Sequence, residues 1–458
     1  MKTLYPKNKD YILVPIILIL ALFSRLYRLN DFPYFPISDY PWVGTDSGAL
    51  KGLYIDERVY SNLATNLINN PSSPTLYQPW LQLFMVGASV SVLGQTPFAV
   101  RLPSAVMSSI SVVLVYLICV KIFKSRLAAS ISSLYLIVMT PAIILNRMNF
   151  LENGVTLFFL GSFLCLLQYS EKNERKYLVL GSIFAGLSVF CKINGLIAPI
   201  FLLLYLMRER KLRENIKPIA LLSIPALLFL IIVSITQNLD FLQLISQFVR
   251  QWRIGKIGDE FSMFSYMLFN SLPSGYITSW GSYFRLEYWY IIAYFALAYM
   301  AASEFEKVSD SILAIASFLC LFLAIGGFGV YYLILIQPFL AIPIGYAVVK
   351  LTRMKTFTTI FFYIFLYAPV VLSVDIYLSM TDKLGSPILT DPFLTVLKIV
   401  NVLLPLLLVA LTPILEKKLT KDFRTIMNTA IIAAFFVFLF IGSYVLPVFY
   451  PHYLSPMG

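Results

Sequence analysis

The sequence predicts an all-α, polytopic membrane protein with about thirteen transmembrane helices, and three observations carry that prediction. Of its 458 residues, 59% are apolar and 13% are charged, with mean hydropathy +0.80; soluble domains run at roughly 45–50% apolar and roughly 25% charged. Uncharged apolar runs of bilayer-spanning length recur from Tyr11 almost to the C-terminus, which is what a chain dissolved in lipid requires. Lys and Arg also alternate between successive connections as the positive-inside rule demands. A water-soluble globule is excluded, because too little polar residue remains to cover it.

The spans are read at 11–27, 99–122, 127–145, 154–170, 177–191, 193–207, 216–236, 288–303, 309–325, 329–350, 357–378, 394–414 and 427–447. The first is followed by many others and by no small-residue cleavage site, so it is expected to be a retained helix and not a signal peptide. The runs 177–191 and 193–207 meet at Lys192, either as two helices in a tight hairpin or as one broken element lining a cavity.

With the N-terminus cytoplasmic, the inner connections hold 22 of the 35 Lys and Arg but 10 of the 23 Asp and Glu. The net charge of +12 therefore lies on the inner side. It reports topology and contact with anionic lipid, and nucleic acid is not an expected partner. One inner turn, Glu304, Glu306, Lys307 and Asp310, dissents from the pattern. Thirteen spans leave the C-terminus outside.

The chain reads as one domain, 1–458, with two long outer connections at 28–98 and 237–287. Connections of that length inside a compact protein are usually functional. The first opens on Asp31-Phe-Pro-Tyr-Phe-Pro, which cannot be helical throughout. The stretch from Asp56 to Leu67 places Val59, Leu63 and Leu67 on one stripe, the pattern of a helix lying on the membrane face. Trp80 to Leu93 is apolar, short for a span and flanked by Pro79 and Gly94, so it is expected to be re-entrant or interfacial.

Residue inventory removes several chemistries. A single histidine, His452, leaves no His-based metal cluster or Ser-His-Asp triad. Cys119, Cys165, Cys191 and Cys320 lie in apolar runs without metal-ligand spacing, as small core residues do. Asp56 and Glu57 have two readings: acids at the positive end of a helix, or a carboxylate at the water–lipid boundary acting as general base toward a hydroxyl.

Tyr54-Ile-Asp-Glu-Arg-Val-Tyr, then Gln78-Pro-Trp-Leu, then Phe98-Ala-Val-Arg-Leu-Pro-Ser-Ala together resemble the first half of the type C membrane glycosyltransferases. More narrowly, they resemble the dolichyl-phosphate-mannose–protein mannosyltransferases and the lipid A aminoarabinose transferases. Asn146-Arg-Met-Asn-Phe-Leu-Glu, Cys191-Lys-Ile-Asn-Gly, Arg285-Leu-Glu-Tyr-Trp-Tyr and Tyr331-Tyr-Leu before Gln337-Pro are similar to further stretches of those families. The likeness spans about residues 20–345. The chain departs from it at Gln78-Pro79-Trp80, where those families carry a lysine or histidine before a proline doublet, and in a second outer loop too short for a folded lumenal domain.

The resemblance implies inverting transfer of a sugar from a polyprenyl-phosphate donor to a lipid, glycan or protein hydroxyl at the extracytoplasmic face. It makes Asp56 the general base, with Glu57 either tuning it or helping to hold a divalent metal. Asp31, Asp39 and Asp46 are further acidic candidates for such an ion. The implied donor-phosphate contacts are Arg285 and Lys192 first, then Arg58, Arg101 and Arg147, with Gln78 as a weaker one. Tyr54, Tyr60, Trp80, Glu152, Glu287, Tyr331 and Tyr332 are placed by the resemblance around the substrates. The rival reading is a transporter or flippase of lipid-linked sugars, which would carry ionisable residues near span centres; here such residues are nearly absent there, Asp375 being one candidate, and the charges gather at the outer mouth.

Overall fold

A computed structural model describes residues 10–31, 53, 55–69, 80–208, 231, 293, 296–297, 299–300 and 333–351. The predicted spans 216–236, 309–325, 357–378, 394–414 and 427–447, and the second outer loop 237–287, lie outside these residues or touch them at single positions. The described residues are helical, with no strand among them. The total of thirteen spans is therefore a sequence expectation.

Helix α1, Asp10–Leu26, turns Ile12, Ile16, Ile19 and Phe23 outward and buries Ile17, Ala21, Ser24 and Arg25. That is a lipid face and a bundle face at helical spacing. Helix α2, Ile55–Asn69, buries Tyr60, Leu63, Ala64 and Leu67; of the stripe read from the sequence, Leu63 and Leu67 are buried and Val59 is partly buried. Helix α3, Trp80–Leu93, packs against α2. The approach is close at Gly87, where a Cβ would stand 2.7 Å from the Ala64 carbonyl oxygen and 2.6 Å from Ile68 Cγ1.

Helix α4, Pro97–Phe123, opens with Thr96 as its cap, its hydroxyl accepting from the Ala99 N–H, and with Pro97 in the first turn; both are standard helix starts. It lies against α1, α3 and the helices that follow. Helix α7, Glu152–Lys172, shares with α4 the length and apolarity needed to cross a membrane.

The expected span 127–145 is two helices, not one: α5, Arg126–Val138, and α6, Thr140–Arg147. Pro141 has no N–H to return to the preceding turn, so the ladder breaks there and Met139 is extended. Helix α8, Arg175–Cys191, ends at an extended Lys192, after which a 3₁₀ turn, Ile193–Leu196, leads into α9, Ile197–Arg208. Of the two forms left open at Lys192, the structure has two helices separated by a break. Helix α10, Leu333–Leu351, crosses α5 so closely that a Cβ on Gly345 would lie 2.1 Å from the Ala128 carbonyl oxygen.

Two cores result. The larger runs through α4, α5, α7, α8, α9 and α10, with Phe159, Phe163, Phe201 and Phe339 interleaved. The smaller joins α2, α3, the start of α4 and Leu151. It holds the head of α2 against the loop between α6 and α7.

Candidate active site

Asp56 and Glu57 occupy the first turn of α2, where the helix dipole favours negative charge. Glu57 is fully buried and takes both prongs of the Arg101 guanidinium, Nε to Oε1 and Nη2 to Oε2, each at 2.9 Å. Its Oε1 also accepts the backbone N–H of Asn149 at 3.0 Å. Arg101, 1% exposed, donates a further bond to the Leu29 carbonyl at 3.3 Å. One ion pair therefore ties α2, α4, the turn after α1 and the α6–α7 loop together. A bidentate pair with its remaining donors satisfied is the geometry in which a buried salt bridge is tolerated.

A second pair stands beside it. Lys192, at the break after α8, donates from Nζ to Glu152 Oε1 at 2.5 Å, their side chains 7% and 1% exposed. Asp56, half-buried, lies within electrostatic reach of this pair. Burial pushes its carboxyl up to about 6, Lys192 works against that rise, and the charges of Glu152 and Glu57 add to it. At neutral pH Asp56 is mostly ionised and close to its proton-exchange point, the condition a general base needs.

Both lone-pair sites of Glu57 Oε1 are taken, by Arg101 and by the Asn149 N–H. Among the described residues no group of three or more His, Cys, Asp and Glu gathers as a cation site. Glu57 so engaged does not fit the role of metal ligand, and no step below runs through a metal.

The structure thus brings Asp56, Glu57, Arg101, Glu152 and Lys192 into one cluster at the head of α2. Tyr60 and Trp80 belong to the smaller core beneath it. Arg58 donates from Nε to the Leu53 carbonyl at 3.3 Å, and Arg147 to the Tyr27 carbonyl. Tyr54, Gln78, Arg285, Glu287, Tyr331 and Tyr332 lie outside the described residues.

A sequence profile of the dolichyl-phosphate-mannose-protein mannosyltransferases matches residues 77–237. No curated protein matches the sequence. Among solved structures, ArnT from Cupriavidus metallidurans bound to undecaprenyl phosphate superposes with TM-score 0.58 at 13% identity, over 96% of this chain and 78% of that one. The same ArnT in the apo state gives 0.54 at 12% identity, with the same coverage. The archaeal oligosaccharyltransferase AglB from Archaeoglobus fulgidus, in complex with an inhibitory peptide and a dolichol-phosphate, gives 0.50 at 13% identity over 97% of this chain and 56% of that one. The fold is shared with these ArnT structures.

Within this fold, one structural contributor went unread in the sequence. Gln82, on α3 and fully buried, donates from Nε2 to Ser104 Oγ at 2.9 Å and to the Phe150 carbonyl at 2.8 Å, and accepts the Gly154 N–H on Oε1 at 3.1 Å. It pins the loop that supplies the Asn149 N–H and the start of α7, where Glu152 stands. Gly154 is required for this contact, since a Cβ there would meet Gln82 Oε1 at 2.8 Å and Cys191 Sγ at 2.6 Å. The available signal was a lone amide within an otherwise apolar helix, because a polar group in such a place must find partners.

Proposed function

We propose that this chain is an integral-membrane inverting glycosyltransferase that moves a sugar from a polyprenyl-phosphate donor to an acceptor hydroxyl of a lipid, glycan or protein at the extracytoplasmic face. The observation that carries the reading is Asp56: a half-buried carboxylate brought up to about 6, within electrostatic reach of Lys192, in a fold shared with ArnT. The match of residues 77–237 to the mannosyltransferase profile supports it, and the Lys and Arg distribution supports the sidedness.

In this reading Asp56 takes the proton of the acceptor hydroxyl as its oxygen attacks the anomeric carbon. The bond from that carbon to the phosphate oxygen breaks on the opposite face, and its electron pair leaves with the carrier phosphate. The leaving group already bears negative charge, so the protein supplies chiefly position and cations. Lys192 is the cation of the described cluster nearest that task, with Arg285 a further candidate from the second outer loop. Arg101 does not face the phosphate in this scheme; it fixes Glu57 and, through it, the first turn of α2.

The test is sugar transfer by purified protein in lipid, offered a panel of polyprenyl-phosphate sugars and hydroxyl acceptors, with Asp56→Asn alongside. Transfer by the parent and its loss in a folded Asn variant supports the assignment. Equal transfer by both removes Asp56 as the base. Absence of transfer together with passage of the sugar-lipid across the bilayer replaces the enzyme by a transporter.

A further inference from the structure

Glu152 takes no part in the transfer step, yet it holds the cation that step needs. We infer that Glu152 is a resident anion that occupies Lys192 until a lipid phosphate displaces it, so that the carrier phosphate is held by exchange and released readily after transfer. This inference rests on the glycosyltransferase reading above.

The two buried ion pairs of the cluster differ in their attachment. Arg101 grips Glu57 at two points, and a backbone N–H binds the same carboxylate. Lys192 meets Glu152 through Oε1 alone, and the other oxygen, Oε2, is buried with no hydrogen-bond partner. A guanidinium fork is fixed in plane, whereas an ammonium on a four-carbon stem can swing to a new acceptor. The first pair is built to stay and the second to exchange.

The remaining described cations proposed for the phosphate are directed elsewhere: Arg101 to Glu57, Arg58 to the Leu53 carbonyl and Arg147 to the Tyr27 carbonyl. Charge favours exchange as well. With Asp56 ionised, the cluster of Asp56, Glu57, Glu152, Arg101 and Lys192 carries one surplus negative charge, so a phosphate entering beside an intact Lys192–Glu152 pair meets repulsion. A phosphate that takes Lys192 gains a cation but strands a buried carboxylate, which is unfavourable. The stranded Glu152 thereby weakens retention of the spent carrier.

The experiment measures binding of undecaprenyl phosphate to the full-length protein in lipid nanodiscs for the parent, Glu152→Gln, Lys192→Met and the double variant. Glu152→Gln is expected to bind at least roughly fivefold tighter and to turn over more slowly after a first burst; Lys192→Met is expected to bind more weakly, and the gain from Glu152→Gln to be clearly smaller in the Lys192→Met background than in the parent. A gain of equal size in both backgrounds would reduce Glu152 to plain repulsion and overturn the exchange, as would a folded Glu152→Gln that binds no tighter. If Glu152→Gln does not fold, Glu152→Asp, which keeps the charge and retracts it by one methylene, should give the same sign with smaller size. Binding by the parent with no effect of Glu152 sinks this inference alone. A parent that neither binds undecaprenyl phosphate nor transfers sugar sinks the enzyme reading with it.

Discussion

The polar knot at the head of α2 and the aromatic seam among α7, α9 and α10 are both buried, but they resist change in different ways. In the seam, Phe159 and Phe163 meet Phe201 and Phe339 with ring centroids between 5.2 and 6.2 Å apart, in tilted and edge-on pairs. Dispersion between rings has a broad optimum, so the seam can lose a few atoms and keep its shape. In the knot, Glu57, Arg101, Asn149, Gln82 and Gly154 are joined by hydrogen bonds of 2.8–3.1 Å. Those bonds have direction, and a lost partner leaves a buried polar group that water cannot reach. The interior therefore stores stability, while the mouth stores geometry.

The largest expected effect is on Asp56. Replacement by Asn should lower turnover by roughly 10²–10⁴-fold, whereas the parent's rate should climb with pH up to about 6 and level off above it, read from the pH dependence of kcat. Stability should move the other way. The folded carboxyl titrates near 6, above its ordinary 3.8, so its contribution is present below that lower value and lost as pH rises through 6. Asp56→Asn should thus melt above the parent at neutral pH, a gain that disappears in acid. A variant less stable than the parent at neutral pH would contradict the burial assigned to Asp56.

Next comes Arg101→Met, which strands Glu57 and should destabilise the protein by about 3–5 kcal/mol. Adding Glu57→Leu should return much of that loss without returning activity, as measured by chemical unfolding in micelles and by transfer. Gln82→Leu should cost about 1–3 kcal/mol and reduce kcat by loosening the α6–α7 loop. The smallest effect is expected at Phe163→Leu, below about 1.5 kcal/mol, with kcat, KM and the pH profile unchanged. A kinetic change there would erase the contrast between seam and mouth.

Much of the scaffold was legible because the bilayer imposes a simple rule on sequence: long apolar runs. Helices α1, α4, α7 and α8 fall within a few residues of their predicted bounds, and α3 was expected over the residues it occupies. The break between α5 and α6 was missed because hydropathy does not register a proline inside an apolar run. In the site, Asp56 and Glu57 were visible as an acidic pair at a helix start. The pairing of Glu57 with Arg101, 44 residues along the chain, was not visible, because nothing in linear spacing says which cation a carboxylate will meet. Arg101 was expected at a phosphate and instead holds a carboxylate in this structure.

By itself the sequence determined that the chain carries the apolar runs of a membrane protein and which carboxylates open α2, since hydropathy and helix-start chemistry are local. Only the tertiary structure decided that Glu57 is held while Asp56 is left half-buried, that Lys192 is engaged by Glu152, and that Gln82 anchors the loop before α7. Those outcomes depend on distances between residues 40 or more apart in the chain for both ion pairs. Such distances are set by how helices pack, which no local pattern encodes.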